Sequence, residues 1–249
     1  MDYRIDEMTL LAPGTVDLHD ARRGTRRTVT LEVFSVSRSA LVPDGSDRPA
    51  SGMTWFEAVD LCNRLSAAHG LRTAYAVDDR RVHWDVRADG FRLPTEAEWE
   101  YACRAGTSGP RYGDLREVAW TSLDDPDGPQ PVGRKRPNAF GLHDMLGNVW
   151  EWCWDYLDPA RYGDYRVFRG GSWADPPWSV RASTRRGSAP DAVVDGVGLR
   201  LARGAVGTGD ASAAQGWSAD QDRARAGMSG PLPMGWTPLR DLVVGPSHG

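Results

Sequence analysis

The sequence is poor in lysine and has no long apolar run. Lys135 is the only lysine among the 30 basic residues, and the net charge is -4. A mildly acidic chain without a large basic patch is not typical of a nucleic-acid-binding protein, so we expect no nucleic-acid partner. The segment Met1–Leu11 carries three acidic residues and no apolar core, so neither a signal peptide nor a membrane span is expected. The preference for arginine is typical of a GC-rich bacterial genome.

Cysteine and histidine are also scarce. Cys62, Cys103 and Cys153 are widely spaced and odd in number, which fits neither a disulfide framework nor a zinc site. We therefore expect a reduced, cytoplasmic protein. No two of the five histidines lie four residues apart on a predicted helix, so the spacing gives no support to a 2-His-1-carboxylate iron site, which stays open. Neither a GxGxxG motif, a P-loop nor a nucleophile–base pair is evident.

Two helices are predicted by the same signal at their starts. Thr54 with Glu57, and Thr95 with Glu98, each form a capping box in sequence. Glycines are expected to end both helices, at Gly70 and Gly106. Helical spacing places the first two cysteines on apolar faces, so we expect core thiols there. Most of the eleven tryptophans are expected in the core.

The remaining pattern predicts short strands and much irregular backbone, which makes an α+β fold. Strands are expected over Thr28–Val36, Arg166–Arg169 and Val197–Ala202, and a hairpin within Arg72–Asp89. Loops are expected over Leu41–Ser51 and Tyr112–Asn138.

The composition changes near residue 203, which predicts one domain over 1–203 and an extension over 204–249. Gly204–Gly216 is linker-like. Met228–Val244 is apolar enough to fold back on the domain or to dock on a protein partner.

Four blocks, in this order, resemble the formylglycine-generating enzyme or sulfatase-modifying factor family. They read RLPTEAEWEYACRAGT (Arg92–Thr107), PNAFGLHDMLGNVWEWCWD (Pro137–Asp155), FRGGSW (Phe168–Trp173) and PDAVVDGVGLRLAR (Pro190–Arg203). The resemblance covers most of the chain. It implies a C-type-lectin-like fold with short strands and two main helices, in agreement with the two capping boxes.

The resemblance also bears on copper. Formylglycine-generating enzymes bind copper through two cysteines after the GGS element, whereas Ala174–Val180 contains none here. We therefore expect neither copper nor oxidation of a sulfatase cysteine. Related iron-dependent sulfoxide synthases take most metal ligands from a separate helical domain, and another relative matures the pyoverdine chromophore without the copper cysteines. A catalytic metal and the catalytic residues stay unassigned.

The resemblance further implies a structural calcium site in the GNVWEW loop. The matching positions are Asp144, Gly147, Val149 and Glu151, which supply two carboxylates and backbone carbonyls, the hard oxygen ligands that calcium prefers. The alternative is that both carboxylates only accept backbone N–H groups in an irregular loop. A second calcium site of some relatives is not expected, because Val118–Pro126 lacks its asparagine.

The ligand surface of the family lies at and after the GGS turn. Arginine grips carboxylates and phosphates with two parallel donors, and tryptophan stacks on flat or cationic groups. The alternative is that Arg181 and Arg185 only pair with Asp175, Asp191 or Asp195 as scaffold. The predicted pocket comprises Ser172, Trp173, Asp175, Trp178, Arg181 and Arg185.

Three functions are compatible with this sequence. The first, which we favour at this point, is a tailoring enzyme of oxidative type, with a non-heme metal, acting on a small molecule or peptide-bound intermediate in bacterial specialised metabolism. The second is a non-catalytic lectin-like module that binds a peptide, sugar or metabolite. The third is a partner subunit that docks through Met228–Val244. Fold alone does not decide between them.

Overall fold

The computed structural model describes residues 2–5, 7–20 and 24–204, together with residues 206, 224 and 227. The segment Met228–Val244 lies outside these residues. In the described part, no helix is long and apolar enough to cross a membrane. The helices are α1 Trp55–Ala68, α2 Glu96–Arg104, α3 Leu115–Val118 and α4 Pro159–Tyr162. The strands are β1 Tyr3–Arg4, β2 Met8–Leu11, β3 Gly14–Asp20, β4 Thr25–Leu31, β5 Phe34–Ser37, β6 Val42–Pro43, β7 Tyr75–Asp78, β8 Arg81–Trp84, β9 Trp150–Tyr156, β10 Arg166–Arg169, β11 Arg185–Ser188, β12 Val197–Gly198 and β13 Ala202–Arg203.

Helix α1 begins as its sequence predicts. The Thr54 hydroxyl accepts a hydrogen bond from the Glu57 N–H at 3.1 Å, and the Glu57 carboxylate accepts one from the Thr54 N–H at 2.7 Å. Its apolar face is buried, including Cys62. The helix ends at Ala68 with His69 as its C-cap, and Gly70 follows with a φ of 67°, the left-handed conformation expected of a stop.

Helix α2 begins with the same device and ends at Arg104, two residues before its glycine. Thr95 and Glu98 form the second capping box. Ala105 takes the left-handed conformation, with a φ of 43°, and Gly106 follows it. All three glutamates of this helix are buried, which the sequence pattern did not predict. They are Glu96, Glu98 and Glu100.

The central sheet places strand β9 between two hydrophobic clusters. The strand order of this sheet is β11-β10-β9-β12, with β12 parallel to β9 and the other pairs antiparallel. Trp150, Trp152 and Trp154 pack in the cluster of α1, whereas Cys153 packs in the cluster of α2. Strand β9 was not predicted, although its aromatic residues alternate with Glu151, Cys153 and Asp155 as strand geometry requires. Both sets are buried as far as Asp155, so the polar side chains of this strand do not face water.

Two predicted strands are wrong in their extent. Thr28–Val36 is broken at residues 32 and 33, so β4 pairs with β3 while β5 lies in a different sheet, between β13 and β2. Val197–Ala202 is likewise divided between β12 and β13, which belong to two sheets. Alternation alone does not show where a chain passes from one sheet to another. The predicted β7–β8 hairpin and strand β10 are confirmed.

Candidate functional site

The segment of residues 170–180, which we call the GGS loop, follows strand β10 through two glycines. Gly170 and Gly171 have φ values of 107° and 89°. A Cβ at Gly171 would lie 2.8 Å from the Val180 side chain, and one at Gly170 would lie 3.1 Å from the Met145 carbonyl oxygen. The chain therefore turns tightly over the core here, and this close approach requires glycine.

Asp175 is the centre of the hydrogen bonds within the GGS loop. Its Oδ2 accepts from Trp150 Nε1 at 2.8 Å and from the Ser172 N–H and hydroxyl at 2.9 and 2.7 Å. Its Oδ1 accepts from Arg186 Nη1 at 3.1 Å and from the Ser179 hydroxyl at 3.3 Å. A buried carboxylate with this many donors is fully satisfied, so Asp175 holds the loop in one shape.

Further bonds fix the GGS loop from outside. Arg111 Nε donates to the Val180 carbonyl at 2.9 Å, and its Nη2 donates to the Pro177 carbonyl. The Trp173 N–H donates to the Asn148 carbonyl at 2.8 Å. The loop is thus attached along its length to the core.

Two predicted pocket residues lie on the outside of this fixed loop. Trp178 is 67% exposed, and Arg181 is exposed as well. Within the described chain, Arg181 forms no ion pair. In the same loop, Trp173 is half-buried, while Ser172 and Asp175 are buried on its inner side. The structure therefore brings Ser172 and Asp175 together below the surface and presents Trp178 and Arg181 above it.

Arg185 lies elsewhere, against helix α2. Its Nε and Nη2 donate to the Glu96 carboxylate, and Nη2 also donates to the Leu157 carbonyl at 3.2 Å. Arg185 thus has the scaffold role that the alternative gave it, with Glu96 as a partner that the sequence had not indicated. Asp191 accepts from Arg80 Nη1 at 2.7 Å.

The partner of Asp175 is Arg186, which the sequence analysis did not single out. The side chains of Arg185 and Arg186 diverge because consecutive residues of strand β11 point to opposite faces. The two consecutive arginines were the sequence feature that could have identified Arg186. Once β11 is known to be a strand, one arginine must face α2 and the other must face the GGS loop.

The predicted calcium turn contains a buried carboxylate oxygen without a partner. Asp144 Oδ2 accepts from the Gly133 N–H at 2.8 Å, while Oδ1 is buried without a hydrogen-bond partner. Burial raises the pKa of the Asp144 carboxyl above its ordinary value. Gly147 has a φ of 73°, and a Cβ there would lie 2.1 Å from the Trp120 carbonyl oxygen, so only glycine fits this turn.

Glu151 is engaged by core donors. Arg200 Nε donates to both of its oxygens at 3.1 and 3.0 Å, and Trp99 Nε1 donates to Oε2 at 2.6 Å. Among the residues that the structure describes, no group of three or more His, Cys, Asp or Glu side chains could hold a metal. A cation in this turn would therefore need the backbone carbonyls of Gly147 and Val149 beside the two carboxylates.

All three thiols are free and buried. Cys62 and Cys103 lie on the apolar faces of α1 and α2, as predicted, and Cys153 lies on β9. Burial raises the pKa of each thiol above its ordinary value. The thiolate, which is the form that reacts and binds metals, is therefore disfavoured at all three positions.

Comparison with known proteins gives one family for most of the chain. The model described as "Sulfatase-modifying factor enzyme 1-like domain" matches residues 35–205. The chain is 30% identical to the chaperone protein LppX of Paenibacillus barcinonensis, over 52% of this chain and 60% of that protein. It is 37% identical to the inactive C-alpha-formylglycine-generating enzyme 2 of Bos taurus, over 55% of this chain and 53% of that protein. The chain thus matches little more than half the length of these curated relatives.

A solved structure shows the same fold over a larger share of the chain. Treponema denticola variable protein 1 superposes with a TM-score of 0.71 and 25% identity, over 79% of this chain and 94% of that one. The expected formylglycine-generating-enzyme type of α+β fold, related to C-type lectins, is thereby confirmed.

Proposed function

This chain belongs to the sulfatase-modifying factor enzyme 1-like family, and from that premise we propose that it is a recognition module of the family. In this proposal its GGS loop binds a peptide, either free or as part of a protein partner. The family supplies a rigid scaffold, and the exposed residues of the loop supply the recognition. The tailoring enzyme that the sequence favoured is the second candidate.

The observation that carries this proposal is the exposure of Trp178 on a loop whose backbone is held from several sides. Tryptophan is costly to leave in water and is enriched among the residues that dominate binding energies. Trp178 is 67% exposed, although Asp175 and Arg111 fix the residues around it. A side chain presented by a preorganised loop loses little entropy on binding, which favours affinity.

The arginines that follow the GGS loop in the chain indicate the chemistry of the ligand. The charge of Arg186 is offset by Asp175 at 3.1 Å, whereas Arg181 forms no ion pair within the described residues. A suitable peptide therefore combines an apolar side chain, to cover Trp178, with a carboxylate, to bind Arg181.

The test compares peptide binding by the wild-type protein with binding by Trp178→Ala. Peptides are selected from a random displayed library on the immobilised wild-type protein, and their affinities are measured by calorimetry. Since Trp178 lies at the surface, the substitution should leave the melting temperature nearly unchanged and weaken binding by about 30-fold, the size expected for a central aromatic anchor.

Leu10→Ala is the matched control, because Leu10 is 69% exposed and lies on strand β2 rather than on the GGS loop. It should bind the selected peptides as the wild type does. Peptides that bind Trp178→Ala as tightly as the wild type, or a library that yields none, would refute the proposal.

The second candidate is a tailoring enzyme acting on a small molecule or a peptide-bound intermediate. The family description, which names an enzyme, supports it, and the same loop would hold a peptide-bound substrate. The three buried thiols argue against thiolate copper chemistry. Metal analysis after anaerobic purification separates the two candidates. Iron bound in a stoichiometric amount, whose removal also abolishes turnover of a peptide substrate, would favour the enzyme.

We also propose that the turn from Asp144 to Glu151 binds a structural calcium ion. The support is the buried Asp144 Oδ1, which has no hydrogen-bond partner. Calcium would neutralise this oxygen, with the carbonyls of Gly147 and Val149 as further ligands. The Glu151 carboxylate would complete the set by giving up part of its hydrogen bonding to Arg200 and Trp99.

The Asp144→Asn variant tests the calcium proposal. Its amide oxygen can still accept from the Gly133 N–H, but the negative charge is gone. Calcium should raise the melting temperature of the wild type and not that of the variant. In chelator at pH 7 the variant should be at least as stable as the wild type, since a raised folded-state pKa means that ionised Asp144 opposes folding. A wild type indifferent to both calcium and chelator would contradict the proposal.

A further inference from the structure

A second cleft lies between the β3–β4 hairpin and the C-terminal end of α2. It has a volume of about 420 Å³. The hairpin precedes the family match, which begins at residue 35, whereas α2 lies within it. This hairpin cleft therefore joins a segment outside the family match to the family core. It is lined by Thr15, Val16, Asp17, Arg26, Tyr101, Arg104, Gly106, Thr107 and Ser108.

We propose that the hairpin cleft binds a small polyhydroxylated acid of the sugar-acid class. Clefts of 300–1,000 Å³ are the usual size for small ligands, and a monosaccharide fits a cleft near the lower end of that range. This proposal is independent of the peptide-binding function of the GGS loop, because the two sites share no residue.

The wall formed by the hairpin is firmly seated on α2. Gly14 lies so close to Tyr101 that a Cβ there would be 2.7 Å from the ring, and the Tyr101 hydroxyl donates to the Ala12 carbonyl at 3.2 Å. Val16 and Leu18 are buried in the cluster that also contains residues of α2. The cleft is thus preformed between two packed elements.

The cleft carries charged groups of both signs, and its two arginines differ in whether their charge is already paired. Arg104 is bound to Glu100 at 2.8 Å and to the Gly109 carbonyl at 2.9 Å, so its position is fixed and its charge is offset. Arg26 is exposed and forms no ion pair with any residue whose side chain the structure describes. Arg26 is therefore the group available for a ligand carboxylate, which a guanidinium binds with two parallel donors.

The other lining groups suit hydroxyls. Asp17 accepts from the Thr28 hydroxyl at 2.6 Å through Oδ1, and as an ionised carboxylate it has further acceptor sites for ligand hydroxyl donors. Thr15 and Ser108 add hydroxyls that both donate and accept. The Thr107 hydroxyl donates to the Arg104 carbonyl at 2.8 Å, so it can only accept from a ligand. The Tyr101 ring offers an apolar surface for the C–H groups of a sugar ring. A ligand with several hydroxyls and one carboxylate matches this set better than an apolar molecule does.

The experiment is calorimetric titration of the full chain with D-glucuronate, D-galacturonate and D-glucose at low salt. We expect a Kd of about 1 mM or tighter for at least one of the two acids, as ligand efficiency allows for a molecule of this size. D-glucose should bind at least about fivefold more weakly, because it lacks the carboxylate for Arg26.

Three variants locate the binding. Arg26→Gln should reduce the affinity for the acid to that for glucose, and Asp17→Asn should weaken both ligands. Ser108→Trp, at an exposed position of the lining, should fill the cleft and abolish binding. These positions are at or near the surface, so all three variants should keep the wild-type melting temperature.

Arg81→Gln is the control, since Arg81 is exposed on β8 and does not line the cleft. It should bind as the wild type does. The proposal is overturned if neither acid binds with a Kd below about 20 mM, if glucose binds as well as the acids, or if Arg26→Gln and Arg81→Gln give the same affinity.

Discussion

Helices α1 and α2 carry the same local signals but lie in different surroundings. Each begins with a Thr–Glu capping box, and each carries an acid–arginine pair four residues apart. In α1 the pair Asp60–Arg64 is about 60% exposed on both sides, at 64% and 57%. In α2 the corresponding pair has side chains exposed by only 2% for Glu100 and 19% for Arg104. The two helices therefore carry equal sequence signals, but the same interactions contribute differently to the free energy of unfolding.

The difference follows from what each helix packs against. Helix α1 presents an apolar face to the tryptophans of β9. Helix α2 also buries an apolar face, but in addition its glutamates bind buried arginines: Glu96 and Glu100 bind Arg169, and Glu98 binds Arg92 at 2.6 Å. Since Arg169 directly precedes the GGS loop, α2 also fixes the start of the candidate site. Breaking such a buried pair costs far more than breaking an exposed one.

Replacing the capping glutamates should give the largest contrast between the helices. Glu98→Ala leaves Arg92 buried without its carboxylate, and we expect a loss of about 3–5 kcal/mol in the free energy of unfolding. Glu57→Ala in α1 removes only a cap, and we expect about 1 kcal/mol. Denaturant unfolding of both variants measures the difference. Equal losses would show that the buried surroundings of α2 add nothing to its cap.

Acid should destabilise the protein through Glu96 of α2. The positive charges of Arg185 and Arg169 outweigh burial and lower the pKa of Glu96 below its ordinary value. A lowered folded-state pKa stabilises the protein above the unfolded pKa of about 4.3, and this stabilisation is lost as the pH falls through the folded pKa.

Glu96→Gln tests this dependence. The variant should be less stable at neutral pH and should lose less stability than the wild type between pH 5 and pH 3, as followed by urea unfolding at each pH. Asp60→Asn in α1 is the control and should keep the wild-type dependence. A Glu96→Gln curve parallel to that of the wild type would argue against a role for Glu96 in acid unfolding.

Replacing Arg64 of α1 or Arg104 of α2 should give the smallest difference in stability between the two helices. Arg104→Ala removes a charged hydrogen bond from buried Glu100, which still binds Arg169, and should cost about 1.5–3 kcal/mol. Arg64→Ala should cost about 0.3–0.5 kcal/mol, as for exposed helical pairs. Thermal unfolding followed by circular dichroism distinguishes the two. A loss for Arg104→Ala as small as that for Arg64→Ala would mean that Arg169 alone satisfies Glu100.

The candidate site was predictable only in part. The GGS turn and the residues Ser172, Trp178 and Arg181 could be named from the motif, because glycine and tryptophan positions there are local features of the chain. The role of Arg186 and the inward direction of Arg185 could not, since they depend on which face of β11 meets α2. Strand β9 was missed although its aromatic residues alternate with Glu151, Cys153 and Asp155. The burial of the intervening polar residues depends on distant partners such as Arg200, which only the fold brings to Glu151.

The sequence by itself determined where the two main helices begin, because a capping box satisfies its backbone groups within four residues and needs no distant partner. It also determined the family through motifs that lie in a fixed order. Only the tertiary structure decided which glutamates are buried, which arginine holds the GGS loop and which oxygen of Asp144 has no partner. Burial and ion pairing depend on residues that are distant in sequence, such as Arg169 and Glu96, 73 positions apart, and only the folded chain brings them together.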